Sequence, residues 1–240
     1  MKIGGIILAG GNGSRFGSAI PKQFLELRGK SILEYSIDKF KEVAHHIVIV
    51  SNKGWMEETR KLVSGPSIEV TGGGITRQIS VYNGLKCLAD KDIEIAAIHD
   101  GVRPLFSLSL LRKCIQHALQ YGSAVPAVKV CGTLVLSDEG EKISGYIDRD
   151  KAYEIQTPQV FKFGLIFQAH IKAMESGMTD FTDDSRLFEM NGMPADIIEG
   201  DDCNIKITTP FDLVMVEEYL RGMDGKYYQE HGGRRICKNC

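Results

Sequence analysis

No apolar run in this chain of 240 residues approaches the roughly 20 residues that cross a bilayer as a helix. Met1-Lys2 leads straight into an apolar strand pattern and not into the apolar core and cleavage site of a secretory signal. These two absences set the expectation of a cytoplasmic protein without membrane contact. A charge excess is lacking as well. The net charge is −2 with both signs mixed along the chain, so no basic face is offered to nucleic acid. Internal repeats and low-complexity linkers are missing, and the length suits one α/β domain with a sizeable core.

Cysteines number six, but no Cys pair meets a second Cys or His pair at metal-ligand spacing. Cys87, Cys114, Cys131 and Cys203 fall singly in apolar segments and read as small fillers. Cys237 and Cys240 form a C-x-x-C in a polar C-terminal stretch, near His231. Half a zinc site or a redox pair is conceivable there, and an inert tail is the reading favoured.

What is present is concentrated in the first twenty-three residues. The run Ile6-Ile7-Leu8 has the continuous apolar character of a buried parallel strand. It breaks into a loop with Gly10, Gly11 and Gly13, followed by Arg15, Gly17 and Pro21-Lys22-Gln23. Residues without side chains let backbone N–H groups approach phosphate oxygens. Arg15 and Lys22 add charge that complements a polyphosphate. Two familiar phosphate loops fail on spacing. Gly29-Lys30-Ser31 ends like a Walker A loop, but Phe24 stands where its first glycine belongs. Gly11-Asn12-Gly13 begins like a dinucleotide fingerprint, but Phe16 takes the third glycine position. The stretch fits a nucleotidyltransferase loop, in which Ala9, a glycine cluster, an arginine and Pro-Lys follow the first strand.

Downstream, apolar runs alternate with helical patterns. Strands are expected at Ile3 to Leu8, His46 to Val50, Ile68 to Thr71, Ile93 to Ile98 and Ala124 to Val130. Helices are expected at Ser31 to Phe40, Trp55 to Val63, Thr76 to Leu88 (Ile79, Leu85 and Leu88 inward) and Leu108 to Tyr121. Such alternation predicts a Rossmann-like, mostly parallel sheet with helices on both faces, and a ligand crevice at the carboxyl ends of the strands. Residues 131 to 160 interrupt the pattern as a β-hairpin arm, suited to a subunit contact. Helices return at Leu165 to Ser176 and Thr182 to Met190, with strands at Ala195 to Glu199 and Asn204 to Ile207. Thr209-Pro210 opens a last helix as N-cap and first helical residue. The domain is expected over residues 1–222 and the tail over 223–240.

Five polar clusters remain: Gly72 to Ser80, His99 to Pro104, Asp148-Arg149 with Gln156 to Phe161, Thr182 to Asp184, and Asn204 to Thr208. Each has a bland reading. Thr182 and Asp183 suit a helix cap, Asp100 and Arg103 an ion pair, Arg149 a hairpin surface, and Lys206 the wet face of a strand. Taken in order with the glycine loop, the set resembles the CTP-dependent cytidylyltransferases of sugar-alcohol phosphates, from about Lys2 to Leu220. The fold that this resemblance implies is the α/β nucleotidyltransferase (GT-A-like) fold with a protruding arm. The activity it implies is CMP transfer from CTP to a polyol phosphate, with release of pyrophosphate. Catalytic roles then fall to Arg15, Lys22 and Lys206. CTP contacts fall to Ala9, Gly10, Gly11, Gly13, Arg15, Lys22, Gly73 and Ser80. Acceptor contacts fall to Asp100, Arg103, Thr133, Arg149, Thr157, Thr182 and Lys206, with Thr133, Arg149 and Thr157 reaching from the arm of a partner in a homodimer. Mg²⁺ is expected mainly on the CTP phosphates, with no protein ligand named.

The acceptor is contested by the residues themselves. Cys131-Gly132-Thr133-Leu134-Val135 lacks the aspartate and lysine common at that place in methylerythritol-phosphate enzymes, and Ile79 stands where an aspartate is common. Leu8-Ala9-Gly10-Gly11 and Val102 are also frequent in ribitol-phosphate enzymes. Tyr146 to Arg149 and Thr182-Asp183-Asp184 resemble the methylerythritol group. The expectation is 2-C-methyl-D-erythritol 4-phosphate, with ribitol 5-phosphate as the alternative.

Overall fold

A computed structural model describes residues 1–11, 16 and 20–223. The chain opens with β1 (Ile3–Ala9), then a small ladder of β2 (Glu26–Leu27) and β3 (Lys30–Ser31). Next come α1 (Ile32–Lys41), β4 (His46–Ser51), α2 (Met56–Lys61), β5 (Ile68–Gly72), α3 (Arg77–Leu88) and β6 (Ile95–Asp100). The second half holds α4 (Leu108–Tyr121), β7 (Ser123–Lys129), β8 (Leu134–Leu136), β9 (Gly145–Ile147), β10 (Tyr153–Ile155) and β11 (Gln159–Lys162). It closes with α5 (Phe163–Glu175), α6 (Asp184–Met190), β12 (Ile197–Glu199) and α7 (Pro210–Met223).

The main sheet runs β10-β7-β11-β6-β1-β4-β5, with β12 also on β7. The β5, β4, β1 and β6 half is parallel, whereas β11 pairs antiparallel to both β6 and β7. From β1 the chain moves outward through β4 to β5 and then returns to the other side of β1 as β6. The order therefore reverses beside β1, where an open α/β sheet leaves a crevice. The register sets Leu8 opposite Asp100, so the ends of β1 and β6 share that crevice.

Packing on both faces explains the local choices. Ile7, Ile49 and Ala97 face a layer of α1 and α4 that includes Leu33, Phe40, Leu111 and Cys114. Ile6, Val48, Val50 and Ile98 face α3 and α5 through Val81, Leu85, Leu88 and Ile166. A third cluster around Leu27, Ile32, Ile207 and Val216 seats α7 near the end of β1. Ser31 N donates to the Glu34 carboxylate at 2.7 Å at the start of α1, and the Thr76 and Ser107 side chains cap α3 and α4.

Several expectations are corrected. The arm is shorter than 131 to 160, because β10 and β11 rejoin the main sheet and only β8 and β9 form the separate hairpin. The burial of Val160 and Phe161 between neighbouring strands requires that return. Residues 204 to 207 form no strand, since their polar groups bond instead to loop backbone, including Asn204 to Thr157 and Ile207 to Val102. His99 and Asp100 end β6 and do not follow it. Thr182 is exposed, and Asp183 caps α6. Ile79 faces the crevice and is only half-buried. Cys131 is exposed and so is no core filler, Cys87 is half-buried, Cys114 is buried, and Cys203 is buried but disulfide-bonded, so it is no simple filler either. The C-x-x-C at Cys237 and Cys240 lies outside the described residues, as do Gly13 and Arg15. No helix among the described residues is long and apolar enough to cross a membrane.

Candidate active site

The crevice has two adjoining lobes of about 390 and 460 Å³, which share Gly10, Gly74 and Ile75. Ala9, Gly10 and Gly11 line the first lobe as β1 ends. A Cβ on Gly11 would meet no protein atom within 4 Å, so nothing inside the fold demands glycine there. The bare backbone keeps the crevice open for a close approach. Gln23 is buried behind it and donates from Nε2 to Ala9 O at 2.7 Å and to Gly11 O at 3.3 Å. These bonds hold both carbonyls toward the glutamine. Lys22 lines the same lobe and donates to Ile207 O at 2.6 Å.

Opposite the glycines is a cluster of charge. Asp100 Oδ2 meets Lys206 Nζ at 2.7 Å and Arg103 Nε at 3.8 Å, while Oδ1 meets Arg77 Nε at 3.5 Å. Arg77 also donates from Nη1 to Asp184 Oδ2 at 2.7 Å, and His170 Nε2 lies 3.1 Å from Asp184 Oδ1. Burial alone would raise the pKa of Asp100. The charges of Arg77, Lys206 and Arg103 outweigh it and hold the carboxyl well below the usual range. Burial likewise opposes ionisation of Asp184, and Arg77 and the His170 hydrogen bond reverse the effect. Arg77, Arg103 and Lys206 thus face the carboxylates of Asp100 and Asp184.

The second lobe is lined by Gly10, Asn52, Lys53, Gly73, Gly74, Ile75, Ile79 and Asn83. Ser80 Oγ accepts from Gly74 N at 3.1 Å and donates to Thr76 O at 2.9 Å, which ties the glycine turn to the first turn of α3. A Cβ on Gly74 would lie 2.1 Å from Ile79 Cγ2, so only glycine lets the turn pack on that helix. Asn83 donates to Gly72 O at 3.0 Å and secures the same turn from below. Ile75 stands almost fully exposed at the boundary of the lobes.

The structure brings Ala9, Gly10, Gly11, Lys22, Gly73, Ser80, Asp100 and Lys206 to this crevice. It does not bring all of the expected set. Thr157 is 3% exposed, and its hydroxyl accepts from Asp100 N at 3.0 Å and bonds His99 Nδ1. It supports the end of β6 from the bend between β10 and β11 and is not part of the β8–β9 hairpin. Arg103 is 6% exposed and donates to Asn204 O, so it lies beneath Asp100 and does not line the crevice. Thr133 and Arg149 are exposed on the arm, and Thr182 is exposed ahead of α6. None of these three lines the crevice of its own chain. Sequence reasoning missed Arg77, Gln23, Asp184 and Thr208 as site or supporting residues. All four stand inside the motifs named above, but nothing local says what each is tied to.

The profile of the family described as "IspD: 2-C-methyl-D-erythritol 4-phosphate cytidylyltransferase" matches residues 3–222. A 2-C-methyl-D-erythritol 4-phosphate cytidylyltransferase of Caldanaerobacter subterraneus subsp. tengcongensis is 40% identical over 231 residues, spanning 92% of this chain and 100% of the relative. One of Geobacillus kaustophilus is 41% identical over 221 residues, spanning 90% and 95%. The crystal structure of 4-diphosphocytidyl-2C-methyl-D-erythritol synthase from Anaerococcus prevotii DSM 20548 superposes with a TM-score of 0.79 at 31% identity, covering 92% of this chain and 98% of that one.

Proposed function

The chain belongs to the 2-C-methyl-D-erythritol 4-phosphate cytidylyltransferase family, and from that membership we infer how its crevice is used. It is a CTP-dependent cytidylyltransferase that transfers CMP to 2-C-methyl-D-erythritol 4-phosphate in isoprenoid precursor synthesis. The ribitol-phosphate alternative is not favoured by its relatives. Membership in this family also makes the cytoplasm the compartment we propose.

We assign the triphosphate of CTP to the lobe of Ala9, Gly10, Gly11 and Lys22, together with Gly13 and Arg15 from the same loop. The cytosine goes to the second lobe, which Gly73 lines and where Ser80 holds the glycine turn, and the acceptor to the side of Asp100 and Lys206. The observation that carries this reading is the meeting of the bare glycine backbone with the charge cluster at the ends of β1 and β6. An oxygen of the acceptor phosphate attacks the α-phosphorus of CTP. A new P–O bond forms, the bond to the β-phosphate breaks, and pyrophosphate leaves. A phosphate is already a nucleophile at neutral pH, so the residues have only to hold two anions in line and neutralise spreading charge. Lys22, Arg15 and Lys206 supply cations for that task.

Asp100 is the one carboxylate among the described lining residues, and three cations already share it. Such a donor set suits Mg²⁺ carried in on phosphate oxygens, where the ion neutralises triphosphate charge when bound. Thr133 and Arg149 stand away from their own crevice, on an arm that exposes Val135, Leu136 and Tyr146. That supports a homodimer in which they serve the partner's acceptor phosphate.

Pyrophosphate release with each of four nucleoside triphosphates, against methylerythritol phosphate and ribitol phosphate, tests the assignment. Turnover is expected with CTP and methylerythritol phosphate, and silence with that pair would sink it. Lys22→Ala should lower kcat about 10²–10³-fold, as removal of one transition-state donor does elsewhere. Near-normal turnover would remove Lys22 from the role given.

A further inference from the structure

Four charged or titratable side chains from four elements form a chain that runs from the helical layer to the crevice. His170 on α5 is fully buried and sets Nε2 3.1 Å from Asp184 Oδ1. Asp184, the first residue of α6, is 2% exposed and gives its other oxygen to Arg77. Arg77, the first residue of α3, reaches Asp100 at the end of β6 with Nε. His170 Nδ1 has no hydrogen-bond partner, which fits the tautomer with its proton on Nε2, donated to the carboxylate. The reaction described above uses Asp100 but neither Asp184 nor His170. Stability is a weak reason for them, because replacing a buried ion pair by apolar side chains of similar volume is often neutral.

We propose that Asp184, supported by His170, is a positioning residue for the acceptor side of the crevice, acting through Arg77 on the carboxylate of Asp100. The guanidinium is shared between two carboxylates. One edge anchors on Asp184, and Nε meets Oδ1 of Asp100, while Oδ2 holds Lys206 at 2.7 Å and Arg103 at 3.8 Å. Without the Asp184 charge, Asp100 is the one carboxylate left in contact, with the Asp183 charge acting from farther off, and Arg77 swings onto Asp100. It then competes with Lys206 for Oδ2, and the two groups that face the acceptor lose their arrangement. Ala9, Gly11 and Lys22 are held by other bonds, to Gln23 and Ile207. The effect therefore falls on the acceptor and spares CTP.

This rests on the reading of Asp100 as an acceptor contact, so the test carries Asp100→Asn beside Asp184→Asn. Asp184→Asn must set its amide against one of two donors, Arg77 or His170. It should raise the KM for methylerythritol phosphate about tenfold while the KM for CTP stays within about twofold. In the Asp100→Asn background, Asp184→Asn should add nothing, since both act on one contact. Equal changes in both KM values, or effects that add independently, would overturn the inference, as would a fall in active fraction with both KM values unchanged. If Asp100→Asn itself leaves the acceptor KM unchanged, the reading of Asp100 fails. If Asp100→Asn raises it and Asp184→Asn does not, the positioning role alone fails. Should Asp184→Asn not fold, the pair His170→Gln and His170→Leu decides. Gln keeps an N–H for Asp184 and should preserve the acceptor KM, whereas Leu should raise it. Identical acceptor KM values for the two would refute the role.

Discussion

His99 is fully buried between the Thr157 hydroxyl and the carbonyl of Arg103, and burial pushes its pKa down to about 3. The unfolded chain takes up that proton near 6.5, so between those values it binds more protons than the folded chain. Stability therefore falls as pH drops from 6.5 toward 3. In His99→Gln this contribution is absent. The stability gap between wild type and variant should narrow by up to about 1.4 kcal/mol per pH unit across that window. Denaturant titrations at pH 7, 6, 5 and 4 measure it, and a gap that stays constant would show that His99 titrates normally. The depressed Asp100 and Asp184 work lower down. Their stabilisation is present above the ordinary carboxylate pKa and is lost only as pH falls below it. Residue types were legible here, but partners were not. Asp100 after an apolar run announced a site, whereas Thr157 looked like a ligand until the antiparallel return of its segment buried it.

At the scale of elements, β1 shows how two poor strand formers serve packing. Gly4 and Gly5 lie on opposite faces, where added Cβ atoms would stand 2.7 Å from Leu88 Cδ1 and 2.4 Å from Phe40 Cδ1. Their bareness lets α3 and α1 press onto the central strand. Gly5→Ala should destabilise by about 1–3 kcal/mol through overpacking against the Phe40 ring. A melting temperature equal to wild type would mean that α1 yields without cost. Helices with a clean apolar stripe, such as α1 and α4, were readable from spacing alone, and their ends agree within two residues. β10 and β11 were not readable. They are three and four residues long, and their partners β6 and β7 lie tens of residues away, so no local period marks them. The 204–207 segment failed in the opposite way. It alternates like a strand, yet its neighbours offer loop carbonyls and no free strand edge.

At the scale of the molecule, the arm is the part with least internal support. The β8–β9 hairpin pairs only with itself and leaves Val135, Leu136, Tyr146 and Ile147 exposed. If the proposed homodimer forms through it, Tyr146→Asp with Ile147→Asp should yield a monomer in light scattering with unchanged circular dichroism. Turnover should fall with it, because Thr133 and Arg149 would no longer reach a partner. A dimer that survives the double substitution would place the contact elsewhere. Within one chain, the apolar runs, their alternation, the glycine loop and the order of the motifs are set along the sequence, because each rests on neighbours in the chain. Which motifs meet was decided by tertiary structure alone. The reversal of strand order beside β1 sets Leu8 against Asp100, and the loop at 204–208 lays Lys206 on that carboxylate. The turn of α5 into α6 sets Asp184 and His170 behind Arg77. Contacts separated by about a hundred residues depend on sheet topology and helix packing, which no local spacing encodes.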